Sequence, residues 1–143
     1  MCMKVFVLVI ALYFITCSAF SQSKQYLVNV NIKEGMDFWA GWCVPCRAEN
    51  PQLIKMFSLY NNKGLEILGV SLDGERARWT NAIVTDKLPW TQVSDLQVFE
   101  NAIAKAYGIS SIPRNILIDP QGIIIAKNLR GNALENKLYE IFK

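Results

Sequence analysis

Cys43 and Cys46 are the residues best suited to chemistry in this 143-residue chain. They stand in Trp42-Cys43-Val44-Pro45-Cys46, three positions apart. That spacing is too short to staple distant parts of a fold, but it suits a pair that alternates between dithiol and disulfide. Thiol–disulfide exchange proceeds by attack of a thiolate, so a useful cysteine needs a lowered pKa. The unpaired N–H groups and the dipole at a helix N-terminus supply that. Leu53, Ile54, Phe57 and Tyr60 recur at helical spacing, which predicts a helix from about Arg47 to Tyr60 with Cys43 at its start. Cys43 is therefore the expected nucleophile, and Cys46, about one turn on, the resolving thiol. Pro45 suits a first helical turn, and Val44 with Pro45 is expected to help set the reduction potential. The alternatives are an inert structural disulfide or part of a metal site. Zinc usually takes four ligands, and the chain has no histidine and no second cysteine pair beyond residue 21. No metal and no cofactor is expected.

The remaining cysteines, Cys2 and Cys17, fall in an N-terminal segment with the pattern of a secretory signal. Lys4 gives a positive start, Val5 to Ile15 an apolar run, and Ala19 and Ser21 small residues ahead of a cleavage before Gln22. Residues 1–21 are thus expected to be a signal peptide and 22–143 one domain, with a periplasmic or otherwise extracytoplasmic destination. A retained membrane anchor is the alternative, although the run is short of the ~20 residues a span needs. Lipid attachment at Cys17 fits poorly with Phe14-Ile15-Thr16 before it. Lys4 is the only charged residue in 1–21, so the net charge changes from +3 to +2 on cleavage. With no long basic run, nucleic acid is not an expected partner.

The pair needs elements to hold it. Met36-Asp37-Phe38-Trp39-Ala40 predicts a buried strand before the cysteines, and Tyr26 to Ile32 alternates as a strand would. Leu65 to Leu72 suits a central parallel strand. Asp73 is placed to cap a helix from about Glu75 to Thr85. Trp90 to Val93 reads as a short extended piece, and Gln97 to Tyr107 as a helix stopped by Gly108. Asn115 to Asp119, the turn Pro120-Gln121-Gly122 and Ile123 to Lys127 predict a hairpin, and Asn132 to Phe142 a closing amphipathic helix. Strands joined by helices imply a parallel core to which the hairpin adds antiparallel strands. Trp39, Trp79, Trp90, Phe99 and Tyr107 are expected in the core, and Trp42 on the partner surface.

Two segments in this order carry a family resemblance. Phe38-Trp39-Ala40-Gly41-Trp42-Cys43-Val44-Pro45-Cys46-Arg47-Ala48-Glu49-Asn50-Pro51 resembles the active-site segment of the thioredoxin superfamily, its TlpA/ResA branch in particular. Ser110-Ser111-Ile112-Pro113-Arg114-Asn115-Ile116-Leu117-Ile118-Asp119 resembles that family's second landmark. The resemblance spans about Met36 to Lys143. It implies an α/β thioredoxin-like fold, a central mixed sheet flanked by helices, and a monomer that exchanges disulfides with protein partners, often as a reductant and for example in cytochrome c maturation. An upstream protein would supply electrons. It implies a cis Pro113 that, with Ile112, presents substrate backbone beside the cysteines. Asp37 matches the buried acid of thioredoxins, whose burial would raise its pKa and let it take the proton of Cys46. A solvated strand-edge aspartate is the alternative. Glu49 and Arg47 are expected to stabilise the helix end or assist catalysis.

The pattern departs from the family before Asp37. Few residues separate the signal from the motif, and Lys33-Glu34-Gly35 replaces the usual apolar residues, so a strand clipped to about five residues is expected in a shortened N-terminal part. A truncated, non-catalytic binding module is thus a rival reading. A thiol peroxidase is another, but no Thr and Arg arrangement about a peroxidatic cysteine precedes Cys43.

Overall fold

The computed structural model describes residues 33–143. The expected signal and the alternating segment Tyr26 to Ile32 lie outside them. The elements in chain order are β1 (Lys33–Trp39), α1 (Val44–Tyr60), β2 (Leu65–Ser71), α2 (Arg76–Asp86), β3 (Thr91–Val93), α3 (Ala102–Ala106), β4 (Arg114–Ile118), β5 (Ile124–Lys127) and α4 (Gly131–Ile141). The five strands form one mixed sheet in the order β3-β2-β1-β4-β5. β1 pairs in parallel with β2, β2 in parallel with β3, and the β4–β5 hairpin runs antiparallel to β1.

Strand alternation puts two apolar sets on the two faces of this sheet. On one face Trp39, Ile67 and Leu117 pack with Leu53 and Met56 of α1, Trp79 of α2 and Leu134 and Leu138 of α4. On the other, Phe38, Val70, Leu72, Ile116 and Ile118 pack with Ala104 of α3. Phe38, Val70 and Leu72 are fully buried, each worth about 1.5–3 kcal/mol.

β1 is seven residues long, not five. Lys33, Glu34 and Gly35 pair through the main chain with Leu65, Glu66 and Ile67, and Glu34 and Gly35 also oppose Ile118 and Leu117. Main-chain pairing between two neighbours does not require apolar side chains, so the polar start of the strand does not clip it.

Three further expectations change. Glu75, not Asp73, occupies the cap position of α2, because the Asp73 carboxylate is engaged elsewhere. The expected helix from Gln97 to Tyr107 is broken into a 3-10 turn, Val98–Glu100, and the short α3. Asn101 causes the break: its side chain accepts the N–H groups of Ile103 and Ala104 at 3.0 Å and restarts the helix. Asp95 reinforces it by accepting from Gln97, Ala102 and Asn101. This shift leaves Phe99 exposed instead of in the core. Trp39, Trp79 and Trp90 are buried as expected, and Tyr107 packs half-buried against Phe38.

Candidate functional site

α1 begins at Val44, immediately after Cys43, which is its N-cap residue with φ −83° and ψ 95°. The helix thus starts three residues earlier than its apolar periodicity indicates, because Val44-Pro45-Cys46 forms the first turn without contributing to the stripe. The main chain closes around the pair: Cys43 N–H donates to Ala40 O at 3.0 Å and Arg47 N–H to Cys43 O at 3.1 Å. Cys43 Sγ accepts the Cys46 N–H at 3.3 Å. The sulfurs are bonded to each other, with the two Cα atoms 5.3 Å apart. Both cysteines are buried, whereas Val44 and Trp42 beside them are 78% and 42% exposed. The cysteine pair therefore lies beneath an apolar rim.

The loop leading into Cys43 is fastened from β2. Asp73 is fully buried, and its Oδ2 accepts the Gly41 N–H at 2.7 Å and the Ser71 hydroxyl at 2.8 Å. The Ser71 hydroxyl oxygen in turn accepts the Asp73 N–H at 3.0 Å. Gly41 has no room for a side chain, since a Cβ there would meet Ala82 and the Arg78 carbonyl at 3.0 Å. Two residues before Gly41, the Trp39 indole donates to Gln92 Oε1 at 2.9 Å. Gln92 reaches that indole by crossing Gly69, where an added Cβ would sit 2.1 Å from Gln92 Oε1.

The Ile112–Pro113 peptide bond is cis, as the resemblance implies. Pro113 is buried, and Ile112 packs partly buried against both apolar sets.

Asp37 is buried on the central strand β1, with 7% exposure, so it is not the solvated strand-edge residue of the alternative. Its carboxyl makes no hydrogen bond among the described residues. Burial, with Glu49 adding to it and Arg130 opposing, pushes its pKa up to about 7. It lines a small cavity with Leu53, Met56, Asn115 and Leu134, of about 30 Å³, room for about one water. Glu49 also has a raised pKa, through burial, opposed by Arg130. Glu49 does not pair locally: Arg130 Nη1 lies 3.3 Å from its Oε1. Arg47 is likewise drawn away from the helix end, to Asp86 at the end of α2. Asp86 also accepts from the buried Asn50 at 2.8 Å, and these partners hold its pKa below the usual carboxylate range, the Arg47 hydrogen bond first.

The structure thus places Cys43, Cys46, Val44, Pro45 and Trp42 in one turn at the head of α1, and Asp37 on the strand that leads to it. Asp73, Asn115 and Arg130 also belong to this neighbourhood and were not read as site residues. Asp73 carries a signal, a polar residue ending an apolar strand, but it reads as a helix cap whereas its carboxylate goes to the Gly41 loop. Among the described residues no group of three His, Cys, Asp or Glu could hold a metal ion, and no helix is long and apolar enough to cross a membrane.

A disulfide-forming CxxC pair at a helix start, on a sheet with this strand order, defines a thioredoxin-like protein. The thioredoxin-like family profile matches residues 34–124. A solved thiol-disulfide oxidoreductase from Bacteroides fragilis is 39% identical, with 80% of this chain and 84% of that chain covered and a TM-score of 0.74. A thiol:disulfide interchange protein DsbE from Chlorobium tepidum is 25% identical, with 80% and 82% covered and a TM-score of 0.69. Among curated proteins, the thiol-disulfide oxidoreductase ResA of Bacillus thuringiensis subsp. konkukian is 29% identical over 108 residues, 76% of this chain and 60% of that one. The chain belongs to the thioredoxin-like family of thiol–disulfide oxidoreductases. It spans about 60% or less of the length of the curated relatives it matches.

Proposed function

We propose that the protein works outside the cytoplasm as a reductant of protein disulfides, with Cys43 as nucleophile, Cys46 as resolving thiol and Asp37 as the proton acceptor for Cys46. The observation that carries this reading is the cysteine pair at the first turn of α1, buried under exposed Trp42 and Val44.

In the reduced protein the helix start favours the Cys43 thiolate. That thiolate attacks one sulfur of the partner's disulfide. A mixed disulfide forms, and the other partner sulfur leaves as a thiolate. Cys46 then gives its proton to Asp37, whose pKa of about 7 suits a base at neutral pH. The Cys46 thiolate attacks Cys43 Sγ, closes the internal disulfide and expels the second partner thiolate. The partner gains two electrons, its two thiolates take up one proton from Asp37 and one from water, and an upstream donor protein must return the electrons to the Cys43–Cys46 bond. Trp42, Val44, Ile112 and Pro113 are the surface against which the partner chain lies, and Pro45 stiffens the turn that sets the potential.

The extracytoplasmic assignment is supported by the signal-like residues 1–21 and by the likeness to ResA and DsbE proteins.

The full chain should reduce insulin in the presence of dithiothreitol, and Cys43→Ser should abolish that activity. A fully active Cys43→Ser protein would overturn the nucleophile assignment. Equilibration with glutathione buffers and trapping of free thiols tests the direction: a potential near about −270 mV supports a reductant, one near about −120 mV an oxidant.

A further inference from the structure

Arg130 stands at the start of α4 with φ −142° and ψ 160°, and its side chain makes no capping bond to that helix. Its backbone is nevertheless held firmly, through the residue before it. Asn115 opposes Asp37 across the β1–β4 pairing. Its side chain accepts the Leu129 N–H at 3.0 Å and donates to the Leu129 carbonyl at 2.7 Å. The Asn115 carbonyl accepts the Asn128 N–H at 2.8 Å. Both main-chain groups of Leu129 are thereby spent on a residue beside Asp37, and Arg130 follows directly.

From that anchor the guanidinium reaches two acceptors on different elements. Nη2 donates to the Pro113 carbonyl at 2.5 Å, and Nη1 lies 3.3 Å from Glu49 Oε1 on α1. One planar fork thus spans the cis-proline loop and the helix of the cysteine pair, a geometry that a lysine cannot reproduce. The ionisable groups acting on Asp37 are Glu49 from α1 and Arg130 from the start of α4. A negative Glu49 opposes ionisation of Asp37, and a positive Arg130 favours it.

We infer that Arg130 is a positioning residue of the exchange reaction: by tying the Pro113 carbonyl to the Glu49 carboxylate it links the loop that receives the partner to the proton held at Asp37. This rests on the reading of Cys43 and Asp37 given above. A partner strand pressing on Ile112 and Pro113 moves the carbonyl that the guanidinium holds. The guanidinium in turn sets how much positive field reaches Glu49 and Asp37. Docking and proton acceptance by Asp37 are then one coupled event.

The test uses the full oxidised chain, with the Asp37 carboxyl titrated by carbon NMR, together with kcat and KM for reduction of a disulfide-bonded peptide by the reduced chain. Arg130→Gln should move the Asp37 midpoint in the alkaline direction from its value near 7 and raise KM about three- to tenfold. Arg130→Lys keeps the charge and loses the fork, so it should restore the midpoint but not KM. An Arg130→Gln midpoint equal to wild type overturns the proposal. So does an Arg130→Lys protein with wild-type KM, and that measurement stands alone should Arg130→Gln fail to fold. If Cys43→Ser is inactive while both Arg130 variants match wild type, only the Arg130 assignment falls. If Cys43→Ser is active, the underlying exchange reading falls with it.

Discussion

Two buried aspartates flank the cysteine segment, and their surroundings differ in kind. Asp73, just past β2, spends Oδ2 on the Gly41 N–H and the Ser71 hydroxyl and so fixes the loop that enters Cys43. Asp37, in the middle of β1, has no hydrogen bond from the described residues and sits against an apolar cavity. The first carboxylate receives two donors on Oδ2, leaves Oδ1 buried without a partner among the described residues, and holds geometry. The second is left under-solvated, and its proton affinity rises to the range where catalysis at neutral pH can use it. Both aspartates are buried; what separates them is that Asp73 ties down a neighbouring loop and Asp37 does not.

The largest expected effect follows from removing those donors' partner. Asp73→Ala leaves the Gly41 N–H and Ser71 hydroxyl unsatisfied in the interior, and should cost about 2–4 kcal/mol in urea unfolding. A cost under about 0.5 kcal/mol would show that Asp73 does not hold the loop. Asp37→Asn should act in the opposite direction. The folded carboxyl binds its proton more tightly than the unfolded one, whose ordinary pKa is 3.8. The stability contributed by this group is therefore complete below about pH 4 and lost as the pH rises through about 7. The neutral variant should be more stable than wild type at pH 8 and show no gain near pH 4. It should also slow closure of the internal disulfide about a hundredfold at neutral pH. Equal pH dependence in the two proteins would remove the contrast altogether.

A smaller effect is expected at Asp86, a third acid, both of whose oxygens receive donors, from Arg47 and Asn50. Its pKa is lowered by Arg47 and Asn50, so its contribution is present above the ordinary carboxylate range and lost on acidification. Asp86→Ala should cost about 1–2 kcal/mol at pH 7 and less at pH 3, since α2 loses its tie to α1. Smallest of all is the exposed pair Lys55–Glu135 between α1 and α4. Lys55→Met should change stability by less than about 0.5 kcal/mol, and a larger loss would mean that surface pairing holds α4 in place.

Local chemistry made much of the site legible in the sequence. Cys43, Pro45 and Cys46 announce a redox pair at a helix start through their own spacing, and Ile112-Pro113 through a recognisable landmark. The hairpin about Pro120-Gln121-Gly122 and the apolar strand at Leu65 are likewise short-range patterns, and both formed. What was missed depends on partners distant in the chain. Asp73 looked like a cap for the helix beside it, yet its oxygen goes to Gly41, 32 positions away. Nothing in the local sequence marks Arg130, whose acceptors lie at the entry to β4 and on α1. The helix over Gln97 to Tyr107 failed for a local reason that apolar periodicity hides: Asn101 satisfies backbone donors with its own side chain and starts a new helix. Lys33-Glu34-Gly35 misled in the other direction, because sheet pairing on both sides completed a strand that side-chain pattern alone would have ended.

The bare backbone at Gly69 leaves a shallow track across one face of the sheet. Gln92 lies along it to reach the Trp39 indole. A methyl group at 69 would push the end of the flexible Gln92 side chain aside and weaken its bond to the indole N–H, two residues before the loop that carries the sulfurs. Mutational scans that look only near the cysteines would overlook this position, although replacing it should loosen the wall behind them.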